Sequence, residues 1–244
     1  MQSEFVDFVV PVYNEGKNIE RMLVELYAAV PMEKRVLVVY DFEGDDTVPV
    51  VRSLAPSYPG LELVLNTRGR GVLNAIRSGV DHAQGDVVII TMADLSDEPS
   101  VIPVMIGRIR SGELDVVCAS RYMKGGRQIG GPKFKTFLSR MAGLSLYVFG
   151  FPVHDATNAF RAYRREVLQK IPIESTGGGF AYSLELTAKA HAAGYRVGEV
   201  PTTWRDRSAG ESRFQLRKWL PTYLRWYFYA MTRGRFGRGR ETHG

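Results

Sequence analysis

Five apolar runs rich in β-branched residues, four of them followed by a helical or helix-starting segment, constrain this chain more than any other feature. They cover 5–12, 35–40, 61–65, 86–92 and 114–119. Runs this long that do not alternate with polar residues read as strands buried on both faces, the habit of a parallel sheet covered by helices. After the first run, Ile19, Met22, Leu23, Leu26 and Val30 recur at helical spacing, with Asn14 placed as an N-cap. Further helices are expected up to Ala83 and over 99–111. Short connections between alternating elements dictate right-handed crossovers. The expected fold is α/β and Rossmann-like, a mostly parallel central sheet flanked by helices, of the kind that binds nucleotides.

In such sheets ligands bind outside the carboxyl ends of the strands. The fourth run ends in Met92-Ala-Asp-Leu-Ser-Asp-Glu-Pro99. Hard oxygen ligands there suit a divalent cation that holds a phosphate, and the same residues read equally as the cap of a helix opening at Pro99. The second run closes on Asp41-Phe-Glu-Gly-Asp-Asp-Thr47, the third on Arg68-Gly-Arg-Gly71 and the fifth on Ser120-Arg-Tyr122. Beyond them, 124–132 is too long and too polar for a turn and is expected to be a mobile loop over the site. The pattern continues with an amphipathic or largely buried helix over 133–149, a strand over 158–164, a helix over 180–193 and a strand over 195–201.

A chain of 244 residues, 45% hydrophobic and 24% charged, can bury one large core with or without an appendage. Its single cysteine, Cys118, excludes an intramolecular disulfide framework; inside an apolar run it is expected to be a buried, inert thiol in a reducing compartment. The first residues lack a basic stretch followed by an apolar block, and no uncharged apolar run reaches the roughly 20 residues that span a bilayer. The net charge of +6 is concentrated towards the C-terminus, where residues 205–240 include ten Arg and Lys. An anionic partner is expected at that end. Aromatic and cationic residues mix over 214–231, which suits a water–lipid boundary or an ordinary helix packed on the domain. Nucleic acid is not expected as a partner, because acids at the strand ends repel phosphates unless a cation intervenes.

The motifs recur in a definite order: Val10-Pro-Val-Tyr-Asn-Glu15, the 41–47 loop, Arg70-Gly-Val-Leu-Asn-Ala-Ile-Arg-Ser-Gly79, 92–99, Ser120-Arg-Tyr-Met-Lys-Gly-Gly126, Asp155-Ala-Thr-Asn-Ala-Phe-Arg-Ala-Tyr-Arg164, Glu199-Val-Pro201 and Asp206-Arg-Ser-Ala-Gly-Glu-Ser212. In this order they resemble the family 2 glycosyltransferases of GT-A fold, most closely the branch of dolichol-phosphate mannose synthases and polyprenyl-phosphate glycosyltransferases. The resemblance implies donor nucleotide contacts from Pro11, Tyr13, Glu15, Asp41, Arg68, Arg70, Gly71, Ala93 and Asp94. It implies Mg²⁺ or Mn²⁺ at Asp94, Ser96 and Asp97, catalytic roles for Asp94, Arg121 and Asp155, and acceptor phosphate contacts from Arg121, Lys135, Arg161 and Arg207. The chain departs from the family pattern at Tyr40, Phe42, Leu73, Met92, Lys135 and Asn158-Ala159. Met92 replaces the first acid of the metal motif, and Phe42 replaces a glycine beside the base.

Residues 1–213 are then expected to form the catalytic domain and 214–244 an amphipathic basic and aromatic helix and tail that meets a membrane. The implied activity is inverting transfer of a mannose- or glucose-type hexose from a GDP- or UDP-linked sugar to a polyprenyl phosphate. The implied place is the cytoplasmic face of a membrane, peripherally, with a membrane-anchoring protein as a further partner. Two alternatives stay open: a sugar or other hydroxyl acceptor with Asp155 as base, and a non-catalytic nucleotide-sugar-binding relative.

Overall fold

The computed structural model describes residues 5–176, 179–206 and 216–233. Its elements are β1 (Val6–Pro11), α1 (Ile19–Ala29), β2 (Lys34–Tyr40), α2 (Thr47–Leu54), β3 (Leu61–Leu65), α3 (Val72–His82), β4 (Val87–Ile90), α4 (Ile102–Arg110), β5 (Val116–Ser120), β6 (Arg127–Ile129), α5 (Lys133–Val148), β7 (Arg161–Arg164), α6 (Arg165–Lys170), α7 (Ala181–Ala192), β8 (Val197–Pro201), β9 (Thr203–Arg205) and α8 (Leu216–Arg233). Seven strands form one sheet in the order β3-β2-β1-β4-β7-β5-β8. Every pairing in it is parallel except those of β7, which runs antiparallel between β4 and β5.

The expected α/β sheet is therefore present, with one antiparallel member. Successive residues of β1 feed opposite faces: Val6, Phe8 and Val10 join the core under α1, α2 and α4, while Val9 joins the core under α3, α7 and α8. Gly79 of α3 lies so close to the Val9 side chain that a Cβ there has no room, which sets α3 tightly on the sheet. Strand order reverses between β1 and β4, and in such sheets the crevice that takes a ligand lies outside the carboxyl ends at that point.

Several expectations change. The strand expected over 86–92 ends at Ile90, so Thr91 and Met92 belong to the acidic loop. Asn14 does not cap a helix: α1 starts at Ile19 behind Asn18, and Asn14 sits in the left-handed region at φ 54°. The Gly-rich segment is not a plain loop, since β6 within it pairs with β9 in a second, two-stranded sheet. Nor is α5 largely buried. Only Gly143 and Leu146 are enclosed in it, while Phe134, Phe137 and Val148 are 70%, 59% and 74% exposed.

The C-terminal helix has two faces. Trp226 and Ala230 of α8 enter the core shared with α7, and the indole N–H of Trp226 donates to Ser175 Oγ at 2.9 Å. Leu220, Leu224 and Phe228, four residues apart, stay exposed. The hydroxyls of Tyr227 and Ser145 lie 2.8 Å apart and tie α8 to α5. Among the described residues no helix is long and apolar enough to cross a membrane.

Candidate active site

Two loops, after β1 and β2, are laced together at the carboxyl ends of the strands. After β1, the backbone N–H groups of Asn14, Glu15 and Gly16 donate to Asp45 Oδ2, Thr47 Oγ1 and Asp46 Oδ1 of the loop after β2. The acids of that second loop thus serve as backbone anchors. Asp41, at its start, accepts from Asn66 Nδ2 at 2.7 Å and from the Gly71 N–H at 2.8 Å. Gly71, at φ 123°, opens α3 in a conformation that side chains rarely adopt.

Above these anchors Tyr13 and Phe42 place their ring centroids 5.7 Å apart, and the Arg70 guanidinium lies over Phe42 at 5.0 Å. Two tilted rings and a cation offer faces on which a base could stack. Tyr40, which takes the place of an acid in the family pattern, donates its hydroxyl to Glu43. Arg68 is held by Asp81 of α3 at 2.6 Å, whereas Arg70 stays over Phe42. Phe42→Ala is expected to weaken GDP and UDP about tenfold each, the loss of one stacking partner; calorimetry with Mn²⁺ present reads both. Unchanged affinity for both nucleotides would place the base elsewhere.

The acidic loop leaves β4 across the crevice. Leu95, between Asp94 and Ser96, is held at φ 62°, an outlier for a bulky residue and the kind of strain that persists where surrounding contacts impose it. Asp94 and Ser96 are buried, with the Ser96 N–H on Asp94 Oδ1 at 3.2 Å, and Ala93 is buried beside them. Asp97 turns back towards the strand end and accepts from Thr91 Oγ1 at 3.0 Å. Burial first, and the neighbouring Asp94 charge second, push the Asp97 carboxyl up to about 7.

Among the described residues no set of three His, Cys, Asp or Glu gathers as a self-standing metal cage. The donor set nevertheless fits Mg²⁺ or Mn²⁺ carried by a diphosphate, because such cations keep several waters and take only one or two protein carboxylates. Asp94 is the residue that would hold the ion, with Asp97 and Ser96 beside it. Two neighbouring acids at a strand end are an electrostatic arrangement that a cation would relieve.

A second polar cluster lies at the end of β5. Asp155 is fully buried and accepts from Arg121 Nε at 2.7 Å, from Arg121 Nη2 at 3.0 Å and from the Arg121 N–H at 3.1 Å. Burial alone would raise this carboxyl; the Arg121 charge and its bonds outweigh burial and hold it below the usual carboxylate range. Arg121 also reaches Thr157 Oγ1 and Ser139 Oγ, and lies 4.8 Å from the Tyr122 ring. Lys135 stands one helical turn before Ser139 on α5, on the face that turns towards Arg121.

Arg161 is placed differently from expectation. It is fully buried, and its guanidinium donates to the carbonyls of Asn158 and Asp155, to Cys118 Sγ and to Thr187 Oγ1. In this structure it supports the turn that carries Asp155 and is not presented to a phosphate. Cys118 beside it is the buried thiol expected, pushed up to about 11 by burial. Arg207 lies outside the described residues.

What precedes Arg207 is anchored on the acidic loop. The Arg205 N–H donates to the Ser96 carbonyl at 3.0 Å, and the Thr203 N–H donates to Glu98 Oε2 at 3.1 Å. Glu98 is thus a clamp on β9. Reading the sequence missed Thr91, Glu98, Ser139 and Thr157 as site residues. Thr91, Glu98 and Thr157 stand inside or beside quoted motifs, but a single hydroxyl or a carboxylate bound to a distant backbone N–H carries no spacing signal.

A Rossmann-like sheet with an acidic loop at its switch point and a buried arginine–aspartate pair beside it defines a nucleotide-binding α/β class, that of the GT-A fold. The chain belongs to glycosyl transferase family 2, whose model matches residues 7–172. It is 30% identical over 230 residues to the dolichol-phosphate mannosyltransferase of Pyrococcus furiosus, a match that covers 93% of this chain and 63% of that protein. The chain therefore spans less than two thirds of that relative. It is 31% identical over 241 residues to the polyprenol monophosphomannose synthase of Mycolicibacterium smegmatis, covering 95% of this chain and 89% of that one. In fold it is similar to glucosyl-3-phosphoglycerate synthase from Mycobacterium tuberculosis, crystallised with Mn²⁺, uridine diphosphate and glucosyl-3-phosphoglycerate. That TM-score is 0.69 at 17% identity, covering 94% of this chain and 80% of the other. The same enzyme crystallised with Mg²⁺ and uridine diphosphate gives a TM-score of 0.68.

Proposed function

We propose that the protein is an inverting glycosyltransferase that moves a hexose from a nucleotide-diphosphate sugar to a polyprenyl phosphate at a membrane surface. The observation that carries this reading is the Arg121–Asp155 pair: a guanidinium oriented by a buried carboxylate, across the crevice from the acidic loop. An acceptor phosphate oxygen is already anionic and needs no base. It attacks the anomeric carbon as the bond to the diphosphate breaks, and the enzyme's task is to orient and neutralise both ends.

When bound, Mg²⁺ or Mn²⁺ neutralises the departing diphosphate. Asp94 and Ser96 of this chain shape that end, Tyr13, Phe42 and Arg70 seat the base, and Arg121 with Lys135 meets the incoming phosphate. Asp155 is poorly suited to deprotonate a hydroxyl, because Arg121 lowers its basicity and occupies its oxygens. This weighs against a hydroxyl acceptor. Names of relatives at about 30% identity support the polyprenyl phosphate.

Membrane contact has its own support. The exposed apolar side chains of α5 and α8 belong to helices joined through Ser145 and Tyr227, and neither 133–150 nor 214–240 contains an acid. Helices with exposed apolar side chains, cations and no acids of their own suit an anionic lipid surface. This supports the reading of peripheral attachment at the cytoplasmic leaflet, by these helices or with an anchoring protein.

The test is transfer itself. With Mn²⁺ and vesicles carrying polyprenyl phosphate, release of GDP from GDP-mannose or UDP from UDP-glucose is expected, and none with soluble sugars. Release with soluble sugars alone would overturn the lipid acceptor. Phe134→Ser combined with Phe137→Ser is expected to lower retention on anionic vesicles by about two orders of magnitude, given the apolar burial of two phenylalanines, with nucleotide affinity unchanged. Sedimentation with vesicles measures it.

A further inference from the structure

The signature Glu199-Val-Pro201 takes no part in the donor or acceptor contacts described so far. Glu199 lies on β8, and its side chain is 8% exposed. Its Oε2 accepts the backbone N–H of His154 at 2.9 Å, and its Oε1 pairs with His154 Nδ1. A buried carboxylate requires such donors, and one residue supplies both.

The imidazole of His154 is also engaged by α5. The Tyr147 ring stacks on it with centroids 3.7 Å apart and planes at 23°. Gly143, one turn earlier, comes so close to the His154 carbonyl that a Cβ there has no room. His154 is therefore gripped by β8 from one element and by a ring and a main-chain contact from another. The next residue is Asp155, whose oxygens orient Arg121. Tyr147 itself belongs to the exposed, largely apolar stretch of α5.

We propose that His154 and Glu199 are positioning residues that fix the turn carrying Asp155, and so the posture of Arg121, while coupling that posture through Tyr147 to the seating of α5 on a lipid surface. This rests on the reading of Arg121 as the group that meets the acceptor phosphate. Neither residue reaches the crevice between β1 and β4, so the donor is untouched. Displacement of a positioning turn by about an ångström is enough to cost an oriented reaction a large factor.

The experiment uses the full chain with Mn²⁺, GDP-mannose or UDP-glucose, and polyprenyl phosphate in phosphatidylcholine–phosphatidylglycerol vesicles. His154→Ala and Glu199→Gln are expected to lower kcat/KM for the acceptor about tenfold, with GDP and UDP affinities by calorimetry within about twofold of the parent. His154→Asn, whose side-chain amide N–H stands where Nδ1 was and can still donate to Glu199, recovers part of the loss, and Tyr147→Leu reproduces the loss on vesicles. Equal losses in acceptor and nucleotide parameters would mark a merely structural role and overturn the proposal, as would no loss in any variant. Arg121→Lys runs alongside. If it leaves acceptor kinetics unchanged, the acceptor reading itself fails; if it impairs them while His154→Ala does not, only the positioning role fails.

Discussion

Asp94→Asn is expected to fold and to lose transfer by on the order of 10³-fold, the scale of removing a principal electrostatic contact to a leaving group. Asparagine keeps the shape and the Oδ1 that accepts from the Ser96 N–H, so the loop has no steric reason to collapse. What disappears is the charge. Met92 offers no charge and Asp97 is turned towards Thr91, so the ion would lose its principal carboxylate. The same change removes the repulsion that Asp94 exerts on Asp97, so thermal stability without nucleotide is expected to hold or rise. The stabilisation that Mn²⁺ with GDP or UDP confers on the parent by linkage is expected to vanish. Steady-state kinetics and melting with and without Mn²⁺ and nucleotide read the two effects separately. A variant keeping more than about a tenth of the parent rate would sink the assignment.

Asp155→Ala is the second large effect, and here stability and activity fall together. Removing one partner of a buried ion pair leaves the other charge uncompensated, at a cost of about 3–5 kcal/mol. The loss is wider than one pair, since Asp155 also accepts from the backbone N–H groups of Thr157 and Asn158. Because the folded carboxyl lies below its usual range, its contribution is present above the unfolded value, about 3.9, and is lost as pH falls through the folded one. The parent is therefore expected to lose stability in acid in a step that Asp155→Asn lacks. Denaturant melts from pH 7 to pH 3 test it, and parallel pH profiles for parent and variant would remove Asp155 from this role. Pairing Asp155→Ala with Arg121→Ala is expected to cost less than the sum of the two single changes, because the second removes the charge the first strands.

Most of the scaffold was legible in local pattern. Continuous apolar runs at 35–40 and 61–65 became β2 and β3 within a residue, because burial on both faces leaves few other uses for such runs. The antiparallel β7 was foreseen as a strand but not in its place. Pairing partner and direction depend on a return path across the sheet, and residues 158–164 carry no mark of that path. The exposure of α5 was misjudged for a related reason. Its apolar residues run round much of the helix, and composition does not say whether protein or lipid covers them.

At the site, the ordered motifs and the family they resemble pointed to Asp94, Arg121 and Asp155, whereas residue type alone marked only an acidic strand end that reads equally as a helix cap. The neighbouring assignments divided once side chains had positions. Arg161 and Arg121 look alike as letters, yet one is fully enclosed beneath Asp155 and the other keeps 11% of its side chain exposed beside it. Asp45, Asp46 and Thr47 serve as anchors for three N–H groups some thirty residues away, a task invisible to any window along the chain.

The sequence alone determined the alternation of strand and helix, the acid at the tip of β4, the single inert thiol and the family, since each rests on residue type and spacing along the chain. Tertiary structure decided which cations face the crevice, which acids bind backbone, that His154 joins α5 to the turn of Asp155, and that an apolar helix face stays uncovered. Burial and pairing of a charge depend on what distant segments bring to it, and that information exists only once the chain has closed on itself.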